Sequence, residues 1–224
     1  MYLLISVFLF IPWGLIYYYR PNLRSRIVKS SFFAAPFGII NMWFRIDYWH
    51  APEVFFFSFI SLEDILFAFV TTGISFTIFD ALFTVQEIKS EKPRKNITLL
   101  FIPIIIASFF ILNNGLGINS MFMWAIPMLV LATVIVIIRR DLLVQSIVSA
   151  LILTLFSIPI YMFLFNYVSP DFWDTYWYLS ETKYGITVFG NVPLLELLWY
   201  FSWASFCGVV YHFTRGTKKV LRKF

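Results

Sequence analysis

One long apolar segment begins with two acids and reads Ser61-Leu62-Glu63-Asp64-Ile65-Leu66-Phe67-Ala68-Phe69. A second segment has the same pattern and reads Pro193-Leu194-Leu195-Glu196-Leu197-Leu198-Trp199-Tyr200-Phe201. Aligned without gaps, the two segments place Asp64 on Glu196 and Phe67 on Trp199. A carboxylate in a hydrocarbon environment is costly, and an acid within a membrane segment is by default a candidate functional residue. We therefore predict a site that is shared by two related halves of the chain.

The composition predicts a polytopic membrane protein. Of the 224 residues, 60% are hydrophobic and only 13% are charged, whereas a soluble domain carries about 25% charged residues. A helix that crosses a bilayer needs roughly 17–25 apolar residues. We predict seven spans, at about 2–19, 28–45, 61–85, 97–113, 119–138, 142–165 and 193–214. The first span has no basic leader, and we expect it to be retained rather than cleaved as a signal peptide.

The basic residues predict the orientation of these spans. Only Arg45 and Lys183 follow even-numbered spans. The other fifteen of the 17 follow odd-numbered spans: Arg20, Arg24, Arg26, Lys29, Lys89, Lys92, Arg94, Lys95, Arg139, Arg140, Arg215, Lys218, Lys219, Arg222 and Lys223. Because cytoplasmic loops carry the excess of Lys and Arg, we predict an outside N-terminus and a cytoplasmic C-terminus, in the cytoplasmic (inner) membrane. The net charge of +5 then reflects membrane topology and not a nucleic-acid partner.

The predicted fold class is all-α, with two parallel three-helix repeats joined by a linker helix in a 3+1+3 arrangement. The first repeat is assigned to residues 1–88, the linker with the fourth span to 89–118, and the second repeat with its basic tail to 119–224. In each repeat, an outer loop rich in acids and aromatic residues precedes the third helix. Three spans reverse the chain direction, so the fourth span would restore it and make the repeats parallel.

Tryptophan and tyrosine cluster near the predicted outer ends, at Trp43, Tyr48, Trp49, Trp173, Tyr176, Trp177 and Tyr178. We expect most of these rings to form an interfacial aromatic belt. Trp199, Tyr200 and Trp203 differ, because they share one helical stripe with Glu196. Aromatic faces attract positive charge, so the stripe is suited to hold a cationic intermediate. Simple packing of aromatic rings explains it equally well.

A structural role explains some of the acids better than others. Ser61 and Asp64 match a capping box, so capping the helix is the alternative role for Asp64. Glu196 is expected further inside its helix, after a first-turn proline, where capping explains it less well. Asp80 falls about 24 Å along the helix from Asp64, near the inner face. Its counterpart in the second repeat is His212, and the two are a candidate inner-face pair; separate hydrated side chains are the alternative.

Neither a metal nor a cofactor is predicted. The two histidines, His50 and His212, fall at opposite membrane faces, which disfavours a histidine-based metal site. Residues 113–117, Asn-Asn-Gly-Leu-Gly, are expected to form a turn, and they lack the full dinucleotide fingerprint. No flavin or nicotinamide fingerprint is present elsewhere. Cys207, the single cysteine, is expected to be a small packing residue.

The two acidic segments and their flanks resemble the motif of the integral-membrane lycopene cyclase family. In that family, an aromatic outer loop leads to Pro-x-Glu-Glu/Asp and then to an apolar helix that ends in aromatic-Glu. The matching positions are Tyr48-Trp49, Ser61 to Asp64 and Phe79-Asp80 in the first copy, and Tyr176-Trp177, Pro193 to Glu196 and Tyr211-His212 in the second. Ser61, Leu195 and His212 depart from the motif, so the chain resembles a divergent member.

The resemblance implies an enzyme of carotenoid biosynthesis, an isomerase or intramolecular lyase that cyclises the end group of a linear carotenoid or related polyisoprenoid without redox change. It implies that Glu196 and Asp64 form an acid/base pair supported by Glu63; which of the pair donates the proton stays open. The candidate substrate-binding residues are Phe67, Trp199, Tyr200, Trp203, Trp49 and Trp177. The expected partners are a lipid-soluble polyisoprenoid and membrane lipids, and a homo-oligomer is left open.

Three other functions are alternatives to a cyclase. A membrane protein that binds a carotenoid or lipid without turnover is the first. A small proton-coupled transporter is the second, because paired intramembrane acids suit proton coupling; small sugar transporters with this repeat pattern carry Pro-Gln, which is absent from this chain. A retinal-binding receptor is the third, and it is disfavoured because residues 193–214 contain no lysine for a Schiff base.

Overall fold

The computed structural model describes residues 1–50, 52, 56–57, 60–83, 85–89 and 91–221. This part of the chain contains the α-helices α1 (Tyr2–Tyr19), α2 (Arg24–Ala34), α3 (Asn41–Asp47), α4 (Leu62–Leu82), α5 (Lys95–Leu99), α6 (Phe101–Ser108), α7 (Ser120–Ile138), α8 (Leu143–Phe163), α9 (Phe172–Tyr176) and α10 (Leu194–Arg215). Shorter 3₁₀ segments at Pro21–Leu23, Ala35–Ile40 and Arg140–Leu142, and π-helical segments at Phe109–Gly115 and Leu164–Val168, extend these helices. The strands are β1 (Phe56–Phe57), β2 (Ile60–Ser61), β3 (Val85–Lys89), β4 (Thr187–Val188), β5 (Val192–Pro193) and β6 (Thr217–Leu221).

Seven helical stretches are long and apolar enough to cross a membrane. They are Tyr2–Tyr19, Pro21–Asp47, Leu62–Leu82, Lys95–Gly115, Ser120–Ile138, Arg140–Val168 and Leu194–Arg215. The prediction of an all-α, multi-pass membrane protein with seven spans is therefore confirmed. The second and sixth spans are longer than expected, because 3₁₀ or π segments continue the helix at their ends.

The connections that follow the odd-numbered spans meet at one end of the bundle. Arg26, after the first span, contacts Asp80 and Glu87 at the end of the third. Arg139, after the fifth span, donates to the Thr217 carbonyl oxygen (3.0 Å) after the seventh. Strands β3 and β6 pair antiparallel at the same end. We call this basic end the inner end, following the predicted orientation, and the opposite end the outer end.

Helices α4 and α10 occupy the centre of the bundle. α4 packs against α1 and α2, α10 packs against α7 and α8, and the two central helices contact each other. Hydroxyl and amide side chains join α8 to α10, because Ser146 and Ser205 share a hydrogen bond (2.9 Å) and the Gln145 amide donates to the Gly208 carbonyl. Such small and polar contacts are how helices associate in lipid, where hydrophobic burial gives little driving force. The span Lys95–Gly115 lies at the periphery and is mostly exposed.

A short antiparallel strand pair precedes each central helix at the outer end. β1 and β2 lead into α4, and β4 and β5 lead into α10. We predicted loops at these positions; the extended segments pair because a chain that doubles back must satisfy its backbone polar groups. The two outer loops also meet each other, since Trp49 and Trp177 form an antiparallel bridge. The His50 N–H donates to the Tyr176 carbonyl (3.0 Å).

This contact between loops corrects the prediction of an interfacial aromatic belt. Tyr48, Trp49, Trp173 and Trp177 are buried, so the belt is the wrong description for them. Tyr178 remains exposed, as a belt residue would be. The buried rings pack between the two loops and over the ends of the central helices, which removes them from the lipid interface.

The turn predicted at residues 113–117 is mostly helical. The π-helical segment continues through Gly115, and only the last two residues turn, with a positive φ of 67° at Gly117. Asn113 explains the difference, because its amide donates to the Asp47 carboxylate (2.6 Å). The same carboxylate accepts from the Ser120 N–H (2.9 Å), so one acid joins the second, fourth and fifth spans.

Candidate functional site

Asp64 and Glu196 occupy equivalent positions in the two central helices. Each is the third residue of its helix, in α4 and α10 respectively. The expectation that Glu196 lies further inside its helix was wrong, because Pro193 is the cap residue and not a first-turn residue. Both acids are buried, and both line one cavity of about 80 Å³ at the outer end. The structure thus brings together the two acids that the sequence analysis paired.

Asp64 is held by partners that balance its charge. The Asp64 N–H donates to Ser61 Oγ (3.1 Å), and the Ser61 N–H donates back to Asp64 Oδ2 (3.2 Å), so the capping box is formed. Capping is only part of the role, because Arg45 also donates to Oδ2 (2.6 Å) and Asn41 to Oδ1 (2.6 Å). An acidic side chain in the first helical turn is also stabilised by the helix dipole. Asp64 therefore sits in an environment suited to a carboxylate anion.

Glu196 is surrounded by phenols. Tyr2 donates to Oε1 (2.9 Å) and Tyr161 donates to Oε2 (2.7 Å). The Tyr200 hydroxyl lies 3.5 Å from that of Tyr161 and extends this chain of hydroxyls. Burial raises the pKa of the Tyr48 phenol well above its usual range, and the nearby Glu196 carboxylate raises it further. Among the described residues, the ion pairs of the structure include none to Glu196.

Aromatic rings form the walls of the cavity beside the acids. Phe67 and Trp199 contact each other across the two central helices, with ring centroids 5.1 Å apart. Trp124 from α7 stacks on Trp199 (5.6 Å) and contacts Trp203 (5.0 Å). At the outer side, Tyr2 stacks on Trp49 at 4.5 Å. These rings present several π faces to a small, largely apolar space.

The structure places the remaining predicted residues outside this cavity wall. Glu63 is buried but is absent from the described lining residues, although it neighbours Asp64. Tyr200 supports Tyr161 from behind and is likewise absent from the lining. Trp177 packs on Tyr48 (6.2 Å) in the outer cap. Among the predicted substrate-binding residues, Phe67, Trp199, Trp203 and Trp49 are the ones that reach the cavity.

Several residues of the site were not identified from the sequence, including four polar or aromatic ones. Tyr2, Tyr161, Asn41 and Trp124 touch or line it, and they come from α1, α8, α3 and α7. Apolar spans rich in aromatic residues give no local signal for a tyrosine that faces a distant acid. Of these four, only Asn41 has a signal in the sequence, because a polar residue within an apolar segment is a candidate functional residue.

The predicted inner-face pair is in contact. His212 Nε2 lies 3.2 Å from Asp80 Oδ2, and His212 Nδ1 lies 2.8 Å from Thr217 Oγ1. With Glu87, these side chains offer three ligand atoms within 4.8 Å of one another, a grouping that could hold a metal ion. The Arg26 guanidinium contacts both carboxylates and compensates one of their two negative charges. The cluster ties the second, third and seventh spans together at the inner end.

Comparison with known proteins gives one family. Residues 119–214 match the family model described as lycopene cyclase. Neither the curated proteins nor the solved structures that were compared contain a match to the chain. The matched residues include α7, α8 and α10, and so contain Glu196, Tyr161, Trp124, Trp199 and Trp203. Over residues 119–214, which are less than half of the chain, the sequence is similar to the lycopene cyclase family.

Proposed function

We propose that this protein cyclises the end group of a linear carotenoid or related polyisoprenoid by acid/base catalysis in the outer cavity. One observation carries the proposal: two buried acids line the same small aromatic cavity, but their partners differ in charge. The family match over residues 119–214 supports the same class of reaction. The chemistry requires an acid, a base and a dry apolar wall, and each has a candidate in the structure.

The difference in partners assigns the two roles. Glu196 contacts phenols and, among the described residues, no cation, so a buried charge there would be uncompensated and costly. Asp64 forms an ion pair with Arg45, which compensates its negative charge. We therefore assign Glu196 as the proton donor and Asp64 as the base. From the sequence alone, either acid could be the proton donor.

The proposed reaction balances in one cycle. The Glu196 carboxyl proton adds to the terminal carbon–carbon double bond, and the positive charge develops on the tertiary carbon. A nearby double bond of the same chain attacks that carbon, so a carbon–carbon bond closes the ring and the charge moves to a ring carbon. Asp64 removes a proton from the adjacent carbon, which leaves a new ring double bond. The substrate gains one proton and loses one, so the reaction requires no oxidant or reductant, and a proton must return from Asp64 to Glu196 before the next turnover.

The tyrosines stabilise the state that follows proton transfer. When Glu196 has given up its proton, Tyr2 and Tyr161 donate to its two oxygens and stabilise the anion that forms. Groups that bind the developing charge more strongly than the resting acid accelerate the chemical step. The faces of Trp199 and Phe67 are placed to stabilise the carbocation and to exclude water that would trap it.

Expression in cells that accumulate lycopene tests the proposal. We expect mono- or bicyclic carotenoids from the native protein and none above background from Glu196→Gln, because the amide has no transferable acidic proton. Asp64→Asn should also lose product. Glu181→Gln, the same change at an exposed position in the outer loop, is the matched control and should retain activity. Equal product from the native protein and Glu196→Gln would contradict the proposal, as would an absence of cyclic product from every candidate polyisoprenoid.

A further inference from the structure

A second, larger cavity lies on the inner side of the acid site. Its volume is about 790 Å³, and it extends between α2, α4, α6, α7 and α10 to the inner end. It shares six lining residues with the acid cavity: Ala34, Phe37, Ile40, Thr72, Trp124 and Trp203. The two cavities therefore adjoin in the middle of the bundle. A ligand whose terminus reached Asp64 and Glu196 would have its remaining length in this inner cavity.

The inner cavity changes character along its length. Its middle is apolar, with rings and aliphatic side chains such as Phe76, Phe206 and Met128. Its inner end is lined by charged and polar groups: Asn22, Ser25, Arg26, Lys29, Asp80, Glu87, Thr214 and Arg215. From the level of Asp64 to that of Asp80, the distance along α4 is about 24 Å, at 1.5 Å per residue. The two adjoining cavities together thus span this distance, with the acids at the outer end, an apolar middle and charged groups at the inner end.

The polar end carries a positive excess that the protein does not neutralise. Three cations and two carboxylates line it, which leaves a net charge of +1. Arg26 contacts both Asp80 and Glu87, so these three residues together keep one negative charge, and Lys29 and Arg215 add two positive charges. Lys29 and Arg215 form no ion pair within the described part of the chain, and both are exposed.

Membrane topology alone explains why cations lie at this end, but not why some of them line a cavity. Arg140, Lys95 and Lys218 belong to the same basic face and do not line the inner cavity, among the described residues. Among the described lining residues, Lys29 and Arg215 belong to the polar inner end of a largely apolar space. A hydrocarbon with two apolar ends would have to desolvate these charges, which is unfavourable.

We propose that the inner cavity binds the phosphate head of an amphiphilic isoprenoid, with Lys29 and Arg215 contacting the head and the hydrocarbon tail directed toward the acid site. This inference rests on the proposed function, since it takes the acid cavity as the place where the far end of the tail reacts. At a boundary between apolar and polar surroundings, ammonium and guanidinium groups that form no ion pair can bind a phosphate ester through charge-assisted hydrogen bonds. The natural substrate is then a linear isoprenoid phosphate that is cyclised at its hydrocarbon end only.

Ligand binding to the full-length protein in detergent tests the site directly. Native mass spectrometry would compare geranylgeranyl phosphate with geranylgeraniol, which has the same tail and no charge, and with phosphatidylglycerol, a bilayer phosphate. We expect the isoprenoid phosphate to bind at least about tenfold more tightly than either, as the loss of one charge-assisted hydrogen bond implies. The double variant Lys29→Gln/Arg215→Gln should remove this preference without weakening binding of geranylgeraniol.

The matched control is Lys95→Gln/Arg140→Gln, which removes the same charge from exposed positions of the same face outside the cavity. It should keep the preference. If both double variants lost the preference for geranylgeranyl phosphate equally, surface charge would explain the preference and the proposal would be overturned. Equal binding of phosphatidylglycerol and geranylgeranyl phosphate would overturn the isoprenoid assignment.

The test also separates this inference from the proposed function. Cyclisation of lycopene by a protein that shows no preference for geranylgeranyl phosphate would overturn the head-group site alone. A preference that depends on Lys29 and Arg215, in a protein that makes no cyclic product from any candidate, would support the site and overturn the cyclase proposal.

Discussion

At the scale of single residues, the hydrogen-bond partners of Glu196 come from distant parts of the chain. Its two carboxylate oxygens accept from Tyr2 and Tyr161, which belong to different helices. The buried Tyr48 phenol, whose pKa is raised by burial and by Glu196, stays a neutral side chain beside it. The acid is thus placed among donors that do not carry charge. Asp64, at the equivalent helical position, has a guanidinium instead.

Removal of the Tyr161 hydroxyl tests this arrangement most directly. Tyr161→Phe removes one donor to the Glu196 carboxylate and preserves the ring. A hydrogen bond to a charged group contributes about 1.5–3 kcal/mol, so the rate of cyclisation should fall roughly tenfold or more. The measurement is the initial rate of cyclic product formation in isolated membranes at equal protein level.

Tyr167→Phe serves as the matched control for that substitution. Tyr167 lies in the same span but is 78% exposed, and no described contact links it to the acid site. The Tyr167→Phe variant should form cyclic product at the same rate as the native protein. If Tyr161→Phe is as active as Tyr167→Phe, the phenol has no part in stabilising the Glu196 anion.

At the scale of elements, the start of α4 combines capping with the proposed chemistry. Ser61 satisfies the Asp64 N–H while Asp64 satisfies the Ser61 N–H, so the first turn is fixed. Strand β2 ends at Ser61, the cap residue of α4, and β5 ends at Pro193, the cap residue of α10. Each acid is therefore oriented by the rigid beginning of a central helix rather than by a free loop. A site on rigid elements is held more accurately than one on loops.

Loss of the cap should have a measurable cost in stability. Ser61→Ala removes the side-chain acceptor and should lower the free energy of unfolding by about 0.5–2 kcal/mol. Ser108→Ala is the comparison, because Ser108 Oγ donates only to the Ile105 carbonyl within its own helix. Ser108→Ala should change the free energy of unfolding by no more than about 0.5 kcal/mol. Unfolding in mixed micelles, followed by circular dichroism, measures both, and equal effects would argue against the capping role.

At the scale of the whole molecule, the bundle has a chemical polarity from end to end. Acids and buried aromatic rings lie at the outer end, and the basic connections and the Arg26 cluster lie at the inner end. The two cavities join these ends through the centre of the bundle. The orientation in the membrane thus decides from which side a polar head would enter.

Labelling of single cysteines tests the predicted orientation. In a Cys207→Ser background, Lys183→Cys should react with a membrane-impermeant maleimide in intact cells, because residue 183 is exposed at the outer end. Lys218→Cys, exposed at the inner end, should react only after lysis. The native Cys207 is fully buried and should label in neither condition. The reverse pattern for the two introduced cysteines would reject the positive-inside assignment.

The sequence by itself determined the seven spans, the acid at the start of each central helix and the basic face. These follow from local hydropathy and charge, which each segment carries whatever its neighbours are. The partners of the acids were decided only by the tertiary structure, because they come from elsewhere: Tyr2 and Glu196 are 194 residues apart in the chain. Asp64 and Glu196 align with each other in the two segments, and the sequence alone left open which of them donates the proton. Packing gave Asp64 the cation and left Glu196 with phenols, and that difference assigns the proton donor.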